Sequence, residues 1–113
     1  MANSLNFNNI KKRYLTVTLA DEANTTLLIG MPTKGVMDHL LMIQTSLEAL
    51  EDDETNVEAA DDLYRACAKV MSRNKAGKEI TTEFLADLFD FEDILIFFNA
   101  YMEFVGEAAD EKN

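Results

Sequence analysis

The run from Ile94 to Val105 constrains the fold of this chain more than any other stretch, because only Asn99 and Glu103 interrupt its apolar residues. A surface helix normally shows one apolar stripe and a wide polar face. Here helical spacing gives two apolar lines, one with Phe91, Leu95, Phe98, Met102 and Val105, the other with Ile94, Phe97, Tyr101 and Phe104. Two arrangements are compatible with this pattern: one line builds the core and the other meets a second chain, or the helix is central and its own domain surrounds it.

The length of 113 residues predicts a single domain, 1–113. Within it we expect a flexible, Asn-rich N-terminus over 1–10 and a polar tail over 107–113. Cys67 is the only cysteine, so no intrachain disulfide is expected, as in a reducing compartment. The first residues lack a basic region followed by an apolar run, and the longest apolar run is shorter than the roughly 20 residues of a membrane span. We therefore expect no secretory signal and no membrane partner.

A β-hairpin is predicted near the N-terminus. Residues Tyr14–Leu19 alternate between two faces, with Leu15, Val17 and Leu19 on the apolar one. A turn over 21–24 separates them from a second strand, Thr25–Ile29. A lone hairpin is marginally stable in water, so it must pack on helices or pair with another chain.

Two amphipathic helices are predicted after the hairpin. Thr33 caps the first, which ends near Asp52 and carries apolar residues at steps of four and three: Val36, Leu40, Ile43, Leu47 and Leu50. A capping box of Thr55 and Glu58 opens the second, from about 56 to 73. A loop containing Gly77 follows it.

Two further helices complete the prediction. The third is short and begins at Thr81, with Ile80 packing onto Leu85. Asp90, with Asp93 three residues later, caps the fourth, which we expect Gly106 to end. The predicted fold class is therefore α+β, mostly helical, with an N-terminal hairpin followed by about four helices.

The charge is strongly negative, with a formal net charge of −11, and it is unevenly distributed. The stretch Glu48–Asp62 is acidic and contains no basic residue. A basic block follows it: Arg65, Lys69, Arg73, Lys75 and Lys78. General nucleic-acid binding requires neutralisation of phosphates, so this balance argues against it and favours basic partners.

No arrangement of residues predicts an enzyme. His39 is the only histidine and has no nucleophile or acid placed to work with it. Cys67 lies on the apolar side of its helix, where a thiol behaves as a small hydrophobe. The acidic cluster over 51–54 lacks the alternating ligands and the glycine of a calcium loop. We therefore predict a non-enzymatic protein that works by contact, with no catalytic residue, metal or cofactor.

Three features together resemble the tail assembly chaperones of long-tailed, siphovirus-type bacteriophages. They are the short N-terminal hairpin, the acidic all-helical remainder, and a closing segment that runs from Thr81 to Leu95 and on into Phe97, Phe98, Tyr101 and Phe104. The resemblance covers most of the chain. Its motifs are weakly specific, since the family is defined by pattern more than by invariant residues.

The resemblance implies a mechanism. Such chaperones bind the aggregation-prone tape-measure protein and keep it soluble until tail-tube subunits polymerise around it, with the tail-tube protein as a further partner. They self-associate, act in the host cytoplasm and are absent from the mature virion. A face of exposed aromatic residues suits that task. We expect the partner-binding residues to be Phe91, Phe97, Tyr101 and Phe104.

Two other functions remain open. The net charge and the Glu48–Asp62 run fit an acidic DNA-mimic inhibitor, although the basic block interrupts the acidic field. The second is a small structural subunit of a virion, which would remain in purified particles, whereas a chaperone would be absent.

Overall fold

A computed structural model describes residues 12–49 and 57–110 of the chain. It confirms the α+β class, with an N-terminal antiparallel hairpin followed by four helices. In chain order the elements are β1 (Leu15–Thr18), β2 (Thr26–Ile29), α1 (Lys34–Ala49), α2 (Val57–Met71), α3 (Thr82–Leu88) and α4 (Phe91–Asp110). The predictions for residues 1–10, for Thr55 as a cap and for the end of the first helix near Asp52 lie outside the described residues.

The hairpin has the predicted alternation. Its register pairs Leu15 with Ile29 and Val17 with Leu27, and these side chains point inward, half-buried in β1 and buried in β2. The turn is closed by Asp21, whose carboxylate accepts hydrogen bonds from the Thr25 amide (2.8 Å) and hydroxyl (2.6 Å). These bonds to the charged form lower the pKa of Asp21.

The loop after α2 covers the outer edge of β2. The Lys75 amide donates to the Leu28 carbonyl at 2.9 Å, and the Gly30 amide donates to the Arg73 carbonyl at 3.3 Å. Between them Asn74 forms an isolated bridge with Ile29. The hairpin is thereby extended on the β2 side, and β1 remains the outer strand of the sheet among the described residues.

Asn74 also holds this loop together. Its side chain is buried and donates to the carbonyls of Met71 (2.8 Å) and Lys78 (2.6 Å), while its amide oxygen accepts from the Lys78 amide (3.0 Å). Gly77 has φ 73°, in the left-handed region that favours glycine. The predicted loop is thus an ordered connection between α2 and α3.

Helix α2 organises the core, because it packs against α1, α3, α4 and β2. Its buried residues form one continuous cluster with those of the hairpin and the other helices. The largest fully buried side chains are Tyr101, Leu19, Ile29, Leu40, Leu63, Met71, Leu85 and Ile94. None of the helices in the described ranges is long and apolar enough to cross a membrane.

The predicted beginning of α3 at Thr81 is confirmed, with Thr81 as its N-cap, and so is the predicted cap of α4. The Thr81 hydroxyl accepts from the Phe84 amide at 3.0 Å. Asp90 and Asp93 form a reciprocal capping box, in which each side chain accepts from the other's backbone amide (2.8 and 3.1 Å). Both caps satisfy amide groups that a helix start otherwise leaves without partners.

The predicted end of α4 at Gly106 is wrong. The helix continues to Asp110, so residues 107–110 of the expected polar tail are helical, and 111–113 lie outside the described residues. Glycine inside a helix costs only about 1 kcal/mol relative to alanine. No proline follows Gly106, and Glu107, Ala108 and Ala109 favour helix. A weak local penalty therefore does not stop a helix whose neighbours propagate it.

Candidate functional site

An apolar groove lies between β1 and the α3–α4 pair. It has a volume of about 340 Å³. Its lining residues are Leu15, Thr16, Val17, Thr18 and Ala20 on the strand side, and Leu88, Phe89, Asp93, Ile96, Phe97 and Ala100 on the helix side. A concave surface with an apolar lining and few polar groups is the usual form of a binding site.

The junction between α3 and α4 positions the helix side of the groove. The Phe89 amide donates to the Leu85 carbonyl at 2.8 Å and so ends α3. The Phe89 carbonyl accepts from the Tyr64 hydroxyl of α2, also at 2.8 Å. The Asp90–Asp93 capping box begins immediately after Phe89. The end of α3 and the start of α4 are therefore both fixed by hydrogen bonds.

The middle of α4 is tied to the hairpin by Tyr101. Its hydroxyl donates to the Gly30 carbonyl at 2.8 Å, which joins residues distant in sequence. Its ring packs 5.9 Å, centroid to centroid, from both Phe97 and Phe104. Burial raises the pKa of Tyr101 to about 12, so the phenol stays protonated at neutral pH and keeps its donor.

The structure separates the four residues expected to bind a partner. Phe97 and Tyr101 are 6% and 1% exposed and belong to the core, and Phe104 is half-buried against it. Only Phe91, at 46%, exposes a large part of its ring. The expectation of an aromatic surface formed by the second line of α4 needs this correction: that line faces the chain's own core, because α2 and the hairpin cover it.

The exposed apolar residue that the sequence analysis missed is Ile96, at 62%. It belongs to neither apolar line of α4. It lies four residues after Glu92 and three before Asn99, on the polar side of the helix. An isoleucine at a position where helical spacing demands a polar residue is the signal that points to it. Together Ile96 and Phe91 are the large exposed apolar residues of α4.

The helix side of the groove is negatively charged. Asp93 lines the groove, and Asp87, Asp90 and Glu92 are exposed near it in sequence. The whole stretch 79–111 contains no lysine or arginine. The strand side, from Leu15 to Ala20, carries no charge. The groove lining is thus mostly apolar, Asp93 is its one charged residue, and the nearby charges of α3 and α4 are all negative.

The other candidate groups lie away from the groove. Cys67 is buried, and burial raises its pKa to about 12, so the thiol is protonated at neutral pH. His39 of α1 lies 3.9 Å from an Asp62 carboxylate oxygen of α2. Across 12–49 and 57–110, no group of three or more His, Cys, Asp or Glu residues is placed to hold a metal ion.

No model of a protein family matches the chain, and no curated protein and no solved structure is significantly similar to it.

Proposed function

We propose that the protein is a non-enzymatic tail assembly chaperone that binds the tape-measure protein of a long-tailed bacteriophage. The observation that carries the proposal is the apolar groove beside α4, with Ile96 exposed on its helix side. Exposure of an isoleucine side chain to water is unfavourable. The free energy falls when a client's apolar side chain covers it. The groove suits transient coverage of apolar segments on a client.

The charge supports the same role. A net charge of −11 keeps a complex of chaperone and apolar client dispersed by mutual repulsion. A single groove of this size offers modest affinity. Several copies along one client add their contributions while each contact remains displaceable. The proposal places the protein in the host cytoplasm, as a self-associating partner of the tape-measure protein and of the displacing tail-tube protein.

The test is co-expression with the tape-measure protein encoded in the same phage genome. We expect the wild-type protein to move this client into the soluble fraction and Ile96→Glu to leave it in the pellet. Met42→Glu is the matched control, because Met42 is 68% exposed on α1 and does not line the groove. A client that stays insoluble with the wild-type protein refutes the chaperone role. Equal effects of the two variants refute the groove as its site.

Protein composition of purified virions separates the remaining alternatives. A chaperone is absent from mature particles, whereas a small structural subunit is present in stoichiometric amounts. A DNA-mimic inhibitor predicts binding to a DNA-handling enzyme that DNA displaces. Mass spectrometry of particles and a pull-down from infected cells distinguish the three roles.

A further inference from the structure

The outer edge of β1 presents main-chain groups that no described residue satisfies. The Leu19 amide donates to the Thr25 carbonyl at 2.7 Å, which sets the hydrogen-bonded positions of the hairpin. In an antiparallel pair these positions alternate, so Val17 and Leu15 also bond across to β2. The amide and carbonyl groups of Thr16 and Thr18 therefore point away from β2. Both threonines are exposed.

This edge differs from the opposite one. The corresponding outward groups of β2, the Leu28 carbonyl and the Gly30 amide, are bonded by the loop that contains Asn74. The loop after α2 covers one edge of the sheet, and within residues 12–49 and 57–110 no segment covers the other. An open edge is a template on which another extended chain can pair.

The open edge borders the apolar groove. A strand that paired with β1 would lie about 4.8 Å from it, on the side that Ile96, Ala100 and Asp93 line. Alternate side chains of such a strand would point into the groove, and the others would point to solvent. The volume of about 340 Å³ accommodates a few side chains of one segment and is small for a second folded domain.

The charge of the groove selects among extended segments. Asp93 lies in the groove, and the exposed residues Asp87, Asp90 and Glu92 are next in sequence to, or within four residues of, residues that line it. The basic residues Lys12 and Arg13 precede β1 in the sequence. The stretch 79–111, which contains α3 and α4 up to Asp110, has no basic residue. Lysine or arginine at the ends of an incoming segment complements these acidic residues and accelerates its association.

We propose that β1 captures an extended segment of a partner protein by strand addition, and that this segment is apolar at alternate positions and flanked by lysine or arginine. Only the identity of the partner rests on the proposed function. If the partner is the tape-measure protein, strand addition defines the kind of tape-measure segment that binds in the groove. Main-chain bonds to Thr16 and Thr18 supply pairing, and contact with Ile96 and the apolar lining of the groove supplies selectivity.

A synthetic peptide tests the proposal with the full chain. The probe alternates valine and threonine over six residues, with two lysines at each end. We expect amide exchange of Thr16 and Thr18 to slow at least about tenfold when the peptide binds. Thr16→Pro removes an amide that points away from β2, so the hairpin bonds remain and peptide affinity falls about tenfold. Thr16→Val keeps the amide and is the matched control.

Amide exchange of Val17 and Leu19 shows directly whether Thr16→Pro disturbs the hairpin. If it does, a second probe still tests strand pairing with the wild-type protein. The same peptide, N-methylated on the alternate residues that pair with β1, cannot form the ladder and should lose binding. Replacing its lysines by serine should weaken binding and abolish its dependence on salt.

Four results would overturn the proposal: binding without protection of Thr16 and Thr18, equal affinity of Thr16→Pro and Thr16→Val, a peptide that binds as a helix, or binding insensitive to the lysines. Protection of the same amides by rising protein concentration alone would instead assign the edge to a second copy of this chain. The co-expression test is independent, because a wild-type protein that binds the peptide and fails to solubilise the tape-measure protein refutes the chaperone role alone.

Discussion

Tyr101→Phe removes one hydroxyl from the place where α4 meets the hairpin and leaves the ring in position. The hydroxyl donates to the Gly30 carbonyl at 2.8 Å. The ring stays between Phe97 and Phe104, so the substitution opens no large cavity. It therefore measures one hydrogen bond between segments that are distant in sequence.

The expected magnitude is set by the bond and by the size of the domain. A net intramolecular hydrogen bond contributes about 1 kcal/mol, and a buried acceptor left without a donor raises the loss toward about 2 kcal/mol. Gly30 is half-buried, so water can partly replace the donor, and we expect a loss of about 1 kcal/mol. For a chain of 113 residues, an unfolding entropy of about 0.24 kcal/mol/K converts that loss into a fall in Tm of about 4 °C.

The difference in stability between the wild-type protein and Tyr101→Phe should also depend on pH. Burial raises the pKa of Tyr101 in the folded protein to about 12, against about 10 for an exposed tyrosine. The stability that the neutral Tyr101 phenol contributes is fully present below about pH 10. It is lost as the pH rises from about 10 to about 12, because the tyrosine of the unfolded chain ionises first. Phenylalanine has no such loss. The deficit of Tyr101→Phe should therefore narrow between pH 8 and pH 11.

Urea unfolding followed by circular dichroism at both pH values is the assay. Tyr14→Phe is the control, because its ring lies at the surface and should change stability by less than about 0.5 kcal/mol. If Tyr101→Phe and Tyr14→Phe have the same stability at neutral pH, the bond to Gly30 does not hold α4 to the hairpin. A deficit that grows with pH would refute the assignment of the raised pKa to this side chain.

Three further predictions concern the caps, the loop and the thiol. Asp90→Ala should cost about 1 kcal/mol of unfolding free energy by breaking the capping box of α4, whereas Asp87→Ala on the exposed side of α3 should be nearly neutral; equal losses in urea unfolding would contradict the cap. Asn74→Ala should cost about 2–3 kcal/mol, since three hydrogen bonds of a buried side chain are lost and the Lys78 amide loses its acceptor; a loss below about 0.5 kcal/mol would refute its role. Cys67 should react with iodoacetamide at pH 8 far more slowly in the folded protein than in urea, because it is buried and burial raises its pKa to about 12. Mass spectrometry measures the two rates, and equal rates would place the thiol at the surface.

The features that the sequence predicted well are those set by neighbours a few residues apart. Asp90 and Asp93 satisfy each other's amides across three residues, and the Thr81 cap works over the same distance. The alternation of Leu15, Val17 and Leu19 likewise comes from strand geometry alone. Such interactions need no partner from elsewhere in the chain, so the residue pattern contains them completely.

The end of α4 is less predictable, because a glycine such as Gly106 does not by itself end a helix. A glycine ends a helix when its left-handed conformation permits a cap. Only Gly77 has a positive φ among the glycines of the described residues, and Gly106 remains helical. The choice between a cap and a helical glycine depends on the next few residues of the chain, and Glu107, Ala108 and Ala109 favour helix.

Residue pattern and composition alone show that α4 is apolar around most of its circumference, that the hairpin has one inward face and that the chain is strongly acidic. Which of these apolar residues are covered depends on how the helices and the hairpin pack against one another. Phe97 and Tyr101 became core because α2 and the hairpin pack over them, while Ile96, on the polar side of the same helix, stayed exposed beside the groove. The open edge of β1 was decided in the same way, since the loop containing Asn74 covers β2 and leaves Thr16 and Thr18 facing the groove. Periodicity fixes the direction of a side chain relative to its own helix or strand, whereas its exposure depends on contacts between segments far apart in the chain, which no local pattern contains.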